Sequence, residues 1–177
     1  MTTDTTTPLG TMVQVDGTWV LRYERDLRHP PEKVWRALTE SAHLEHWFPA
    51  DLVGERRAGA ELRVPFWPVF VERYSIEEPE LPGRIDVWQP HEVFEWWWDD
   101  DRIRFELEAT DHGTRLRLTT WVLPDRGEPA VGTAAGYHVC LDRLEELLDR
   151  GRSSRIADEG VQELEQRYAT AYPEGTR

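Results

Sequence analysis

The sequence is poor in cysteine and has no long apolar run. Cys140 is its only cysteine, so the chain can form no internal disulfide bond and no zinc site built from several cysteines. No stretch reaches the ~18 consecutive apolar residues of a membrane-spanning helix. The N-terminal residues lack the basic and apolar segments of a signal peptide. We therefore expect a cytoplasmic protein.

Positive charge is also scarce. The chain has 21 Lys and Arg against 34 Asp and Glu, which gives a formal net charge of −13. Nucleic acids and anionic membranes both require a basic binding surface. The acidic residues are spread over many segments, as in a solvated protein surface. We therefore expect neither nucleic acid nor a membrane as a partner.

Sequence motifs for metals and catalysis are missing. There is no glycine-rich phosphate loop, no Ser-His-Asp set and no nucleophile elbow. His43 and His46 share a predicted helix face, but a metal site would need a third ligand within reach. Asp99-Asp100-Asp101 lacks the later glycine and glutamate of a calcium loop. We expect no cofactor and no metal. A hydrolase with paired carboxylates stays open, although no motif favours it.

Tryptophan, in contrast, is abundant. The 177 residues include nine Trp, and each buried aromatic of this size removes roughly 150–250 Å² from water. A chain of this length fits one domain that buries about 70% of its unfolded surface. A few large side chains should therefore form much of the core.

A long amphipathic helix is predicted over 133–148. Apolar residues recur there at three- and four-residue steps, and Gly151 should end the helix. Shorter apolar stripes predict a helix after Pro31 and another at 44–48. Val161, Leu164 and Tyr168 mark a last helix.

Period-two alternation predicts an antiparallel sheet. Met12–Val15 and Thr18–Tyr23 flank Asp16-Gly17, which is a strong hairpin signal. Short strands follow between Leu52 and Val122, and we assign one of them to Val69–Ile76. Residues 1–10 are predicted to be a flexible tail, 11–150 the folded domain and 151–177 a helical extension.

Three stretches resemble a known family. The order of elements resembles the α+β helix-grip fold of the START-like (SRPBCC) superfamily. Glu24–Thr39, Leu44–Pro49 and Ala135–Leu144 are similar to bacterial proteins related to the C-terminal domain of the activator of the heat-shock protein 90 ATPase. That family commonly has Gly-Trp-His where this chain has Gly136-Tyr137-His138. The resemblance spans roughly residues 10–150.

The resemblance implies a curved sheet wrapped around the long helix, with a cavity that often holds an apolar ligand. Alternation and the helix face select the side chains that we expect to line this cavity. They are Phe70, Tyr74, Trp96, Trp98, Phe105, Leu118, Tyr137, His138 and Leu141.

His138 admits three roles. It is a core histidine bonded to a carbonyl or carboxylate, a polar contact for the ligand, or a proton shuttle. Trp97 alternates with Trp96 and Trp98, so we expect it on the outer face, with Trp88 and Trp121 as companions. This outer cluster is either a partner or dimer surface, or it is covered by the last helix.

The function implied by the resemblance is binding of a small apolar or amphipathic molecule under the long helix. Two rival functions are carried with it. One is a co-chaperone-like module acting on a chaperone ATPase, as the family name suggests. The other is a cyclase- or hydrolase-type enzyme using His138 with a carboxylate.

Overall fold

The computed structural model describes residues 7–123, 129–153 and 158–176. The strands are β1 (Thr11–Val15), β2 (Thr18–Leu27), β3 (Glu61–Pro65), β4 (Glu80–Gln89), β5 (Val93–Trp98), β6 (Asp101–Thr110) and β7 (Gly113–Val122). The helices are α1 (Pro31–Thr39), α2 (Ser41–Trp47), α3 (Pro68–Tyr74), α4 (Ala130–Arg150) and α5 (Asp158–Ala171), followed by a 3₁₀ turn at Pro173–Thr176.

The strands form one antiparallel sheet in the order β1-β2-β7-β6-β5-β4-β3. Residues paired across neighbouring strands share a face, so each row of partners defines one layer of the core. One such row on the inner face is Trp96, Ile103, Thr120 and Leu21. This architecture confirms the predicted helix-grip α+β fold. Within the described part of the chain, no helix is both long and apolar enough to cross a membrane.

Helix α4 lies over the inner face of this sheet and ends where the sequence predicts. Gly151 has a left-handed φ of 71°, and its N–H donates to the Leu147 carbonyl at 2.8 Å. A residue without a Cβ adopts that conformation at little cost. Leu141, Leu144 and Leu148 form part of the buried stripe of the helix.

The strand predicted at Val69–Ile76 is wrong, because this segment contains α3. Pro68 occupies the first turn, where its missing N–H costs nothing. Ser75 then ends the helix in a left-handed conformation, with its N–H bonded to Val71. The i,i+4 spacing stacks the Phe70 and Tyr74 rings at 6.2 Å. Alternation in an eight-residue segment could not distinguish the two structures.

The ends of the chain pack on α4. Gly10 is buried and its N–H donates to the Tyr168 hydroxyl at 2.9 Å, while the division into tail, domain and extension stays a prediction. Residues 1–6 lie outside the described part. One of the two predictions for Trp97 required the last helix to cover it on the outer face. Helix α5 instead packs against α4 and does not cover Trp97.

A buried ion-pair cluster connects α4 to the sheet. Arg25 of β2 is 5% exposed on the inner face, where it lies 3.3 Å from Asp142 Oδ1 and 2.9 Å from Glu145 Oε1. Beside it, the Tyr23 hydroxyl donates to the Ala134 carbonyl at 2.9 Å. These contacts fix both the height and the rotation of α4 above β2.

We expect Arg25→Met to lower the free energy of unfolding by about 2–4 kcal/mol, because it leaves two partly buried carboxylates without their cation. The matched control is Arg115→Met, since Arg115 pairs with Asp26 on the outer face at 3.0 Å. The control should cost less than about 1 kcal/mol. Urea denaturation of the three proteins measures both effects. Equal losses for the two variants would contradict the role given to Arg25.

Candidate functional site

The candidate site is the region between α4 and strands β5–β7. Of the predicted wall residues, Trp96, Phe105, Leu118 and Leu141 are buried there. Trp96, Phe105 and Leu118 lie on the inner face of the sheet, and Leu141 lies on the buried stripe of α4. Which of them contact a ligand stays a prediction.

Two indole rings of β5 dominate this region. Trp96 and Trp98 are two residues apart on the strand, so both point to the inner face. Their ring centroids are 6.2 Å apart and the rings are nearly parallel, at 25°. Both Nε1 atoms are buried and neither has a hydrogen-bond partner. The strand thus presents two indole N–H donors without acceptors.

On the helix side, Tyr137 and Cys140 are partly buried and pack against the core. Burial raises the pKa of the Tyr137 phenol well above its usual value, and burial raises the pKa of the Cys140 thiol to about 12. Both residues nevertheless keep some accessible surface.

Polar groups are few in the candidate site. The Thr120 hydroxyl lies beside the Tyr137 phenol and opposes the rise in its pKa, whereas the Asp101 carboxylate adds to that rise. The Tyr23 ring is 6.5 Å from the Tyr137 ring. A few convergent polar groups among apolar walls are the usual composition of a small-molecule site.

His138 occupies a different side of α4. Its Nδ1 lies 2.9 Å from the Tyr168 hydroxyl of α5, and its Nε2 lies 3.5 Å from Asp142 Oδ2. Burial, followed by the charges of Arg25 and Arg167, lowers the pKa of His138 to about 4. The imidazole is therefore neutral at pH 7, and protein groups engage both of its nitrogens. This geometry favours a core histidine over a ligand contact or proton shuttle.

The structure does not bring Phe70 and Tyr74 to the sheet wall. Both lie on α3, and the Tyr74 side chain is 58% exposed. The chain just before α3 does reach the site, because the Phe66 ring lies 5.2 Å from Trp98. A ligand contact by Phe70 or Tyr74 stays a prediction.

The predicted outer aromatic cluster is partly wrong. Trp97 and Trp121 are on the outer face, where Arg84 and Arg102 respectively lie over their rings. Trp88 instead packs against Trp35 of α1 with ring centroids 4.9 Å apart. The register of β4 shifts between Ile85 and Val87, and a bulge of this kind turns the following side chains to the other face.

Sequence reasoning missed two residues of the site. Phe48 follows α2, and its ring lies 5.9 Å from that of Trp96 and 5.3 Å from that of Trp98. Nothing in local spacing places it there. Thr120 was detectable, because it alternates in phase with the inward-facing Leu116 and Leu118.

We expect acid to destabilise the protein through His138. Its pKa is lower in the folded state, about 4 against an ordinary 6.5, so the unfolded chain binds more protons between these values. The contribution of His138 to stability is complete above pH 6.5 and is lost as the pH falls towards 4. The groups that face the imidazole or act on its charge are Tyr168, Asp142, Arg25 and Arg167.

The test compares urea unfolding of the wild type and His138→Gln at pH 7 and pH 5. Gln can still bond Tyr168 but does not titrate. The free energy of unfolding should fall less between pH 7 and pH 5 in the variant than in the wild type, by about 2 kcal/mol at most. Burial raises the pKa of Asp142, so this carboxyl changes the pH dependence of stability in the opposite direction. It does so in both proteins, and its effect therefore cancels in the comparison. Identical pH dependence would contradict the assignment.

Comparison with known proteins gives one family. The profile of the family described as "Activator of Hsp90 ATPase homolog 1-like protein" matches residues 28–149. No curated protein matches the chain.

Several solved structures share the fold. A conserved protein of unknown function, EF2215 from Enterococcus faecalis, is 22% identical with a TM-score of 0.76, over 95% of this chain and 92% of its own. Protein MLL2253 from Mesorhizobium loti is 26% identical with a TM-score of 0.60, over 74% and 97%. CalU16 from Micromonospora echinospora is 16% identical with a TM-score of 0.60, over 91% and 94%.

Proposed function

Because this chain belongs to the family of Activator of Hsp90 ATPase homolog 1-like proteins, we propose that it binds a small apolar or amphipathic molecule between α4 and the inner face of the sheet. The observation that carries the proposal is the pair of buried indole N–H groups, on Trp96 and Trp98, that have no protein acceptor. Tyr137 and Cys140 of α4 are partly buried and pack against the core cluster that contains Trp96.

The energetics of burial support this proposal. A buried donor left without a partner costs about 1–3 kcal/mol, and more than nine in ten buried polar groups in proteins avoid that cost. An occupant with an acceptor would offset the cost here. Aromatic rings from β5 and from the α2 end would bury the apolar part of such an occupant.

The rival functions gain less support from the geometry. An enzyme using His138 would need an imidazole nitrogen available to a substrate, and protein groups engage both nitrogens. The chaperone hypothesis rests on the family name, and no surface of the described residues favours it.

Ligand binding should raise the melting temperature. A molecule that binds only the folded state, supplied at 100 times its Kd, should raise Tm by about 5–10 °C. A planar aromatic of three rings, 9-fluorenone, is a suitable probe because its size suits a site lined by aromatic rings. Differential scanning calorimetry with and without the probe measures the shift.

The matched control for this test adds bulk at the proposed site. Cys140→Phe adds bulk at the proposed wall, so it should abolish the shift. Gln162→Phe adds the same side chain at an exposed position of α5 and should leave the shift intact. A shift that survives Cys140→Phe would place the bound probe elsewhere, and no shift in the wild type would contradict ligand binding of this class.

Native mass spectrometry offers a test without a chosen probe. Protein purified from its own host should carry a co-purifying small molecule, seen as a mass excess that disappears on denaturation. The Cys140→Phe protein, purified in parallel, should lack this excess. The same excess in both proteins would contradict binding at this site.

A further inference from the structure

We infer that the ligand is a hydrogen-bond acceptor: a planar, neutral molecule with carbonyl- or ether-type oxygens, to which Trp96 and Trp98 donate through their indole N–H groups. The inference rests on the proposed function and adds the chemical class of its ligand. It begins from the fact that an indole nitrogen donates and cannot accept.

Other indoles in this chain find acceptors. Trp47 Nε1 donates to the Ala37 carbonyl at 2.8 Å, and Trp67 Nε1 donates to the Phe48 carbonyl at 2.9 Å. Trp97 Nε1 donates to Asp86 on the outer face. The fold therefore supplies acceptors to indoles at the helix ends and on the outer surface. Trp96 and Trp98 are the two that face the candidate site, and both are left without one.

The local register explains why the protein supplies no acceptor. Trp96 pairs with Ile103, whose side chain is apolar. Trp98 pairs with Asp101, but its N–H makes no bond to that carboxylate. Backbone carbonyls of the inner strands are already used in the sheet. The Thr120 hydroxyl, in the row of Trp96, does not bond either indole, so a bound molecule with an acceptor oxygen would satisfy these donors.

The geometry suits one flat molecule. The two rings lie nearly parallel on the same face of the strand, with centroids 6.2 Å apart and an angle of 25° between their planes. The Phe48 ring lies against both indoles, tilted by 70° from Trp96 and by 49° from Trp98. A ring edge or face is at best a weak acceptor. A planar ligand that displaces the Phe48 ring would replace apolar contact with similar contact and would add hydrogen bonds.

The charges near the site favour a neutral acceptor. Arg25, a buried cation of the inner face, is already paired with Asp142 and Glu145, and Arg143, the cation that acts on Cys140, also has a partner within the protein. Asp101 is on the same row as Trp98 and raises the pKa of Tyr137 through its charge. A ligand carboxylate would meet this negative charge without a free counter-ion from Arg25. Carbonyl and ether oxygens avoid that repulsion.

The test uses probes that differ in one group. 9-Fluorenone and fluorene share their planar framework, but only the ketone has an acceptor. We expect wild-type protein to bind the ketone about tenfold more tightly by equilibrium dialysis, as expected for one net hydrogen bond to a desolvated donor. 9-Fluorenecarboxylate should bind more weakly than the ketone.

Matched variants assign the preference to the indoles. Trp96→Phe and Trp98→Phe each remove an N–H and keep an aromatic ring. Each variant should therefore reduce the preference for the ketone, and one of the two variants should reduce it to less than about twofold. Both variants should still bind fluorene. Trp121→Phe, on the outer face, should keep the full preference. Because Trp98 is only half-buried, its variant should remain folded even if that of the fully buried Trp96 does not.

The outcomes separate this inference from the proposed function. Equal binding of fluorenone and fluorene to the wild type would overturn the inference and leave apolar ligand binding standing. A preference that survives in both indole variants would overturn the assignment to Trp96 and Trp98. Tighter binding of the carboxylate would overturn the neutral class. Failure of all three probes to bind would overturn the proposed function together with the inference.

Discussion

The attachment of α4 to strand β2 determines the rest of the interior. Arg25 holds two carboxylates of the helix, and the Tyr23 hydroxyl bonds the Ala134 carbonyl one turn before His138. Ala134 is fully buried, and its small side chain lets the helix approach β2 closely. Among the strands, β2 makes the most extensive contact with α4. With the helix held on that side, large side chains pack over β5, and the indoles of Trp96 and Trp98 are among them.

The two sides of α4 therefore have different chemistry. On the β2 side, the His138 Nδ1 lies 2.9 Å from the Tyr168 hydroxyl, and that hydroxyl accepts a hydrogen bond from the Gly10 N–H. On the β5 side, two indole donors have no acceptor. A saturated network makes a helix position rigid, whereas unpartnered donors are a local cost that the folded protein carries. The proposed ligand site lies on the β5 side of this contrast, and His138 lies on the other.

Much of the fold was predictable, because it depends on local patterns. Alternation placed Trp96, Phe105 and Leu118 on the inner face, and the Asp16-Gly17 turn and Gly151 end were confirmed. The errors came from features that spacing does not encode. A bulge turned Trp88 inward, and α3 replaced a strand. The partner of His138 lies 30 residues away, so no local signal could distinguish a satisfied histidine from a reactive one.

Sequence reasoning also could not show that the indole donors lack acceptors. The side chains around these donors indicate where a ligand would reach them. Sequence alternation shows which way an indole points, but acceptor supply is a tertiary property. Phe48 and Phe66 cover Trp98, and both belong to connections around α2 and α3. Helix α3 has no buried residue, so separating it from the body costs little burial. The sheet and α4, by contrast, are tied by buried ion pairs. Access to the indoles is therefore least costly from the α2–α3 side, with β5 as the fixed wall.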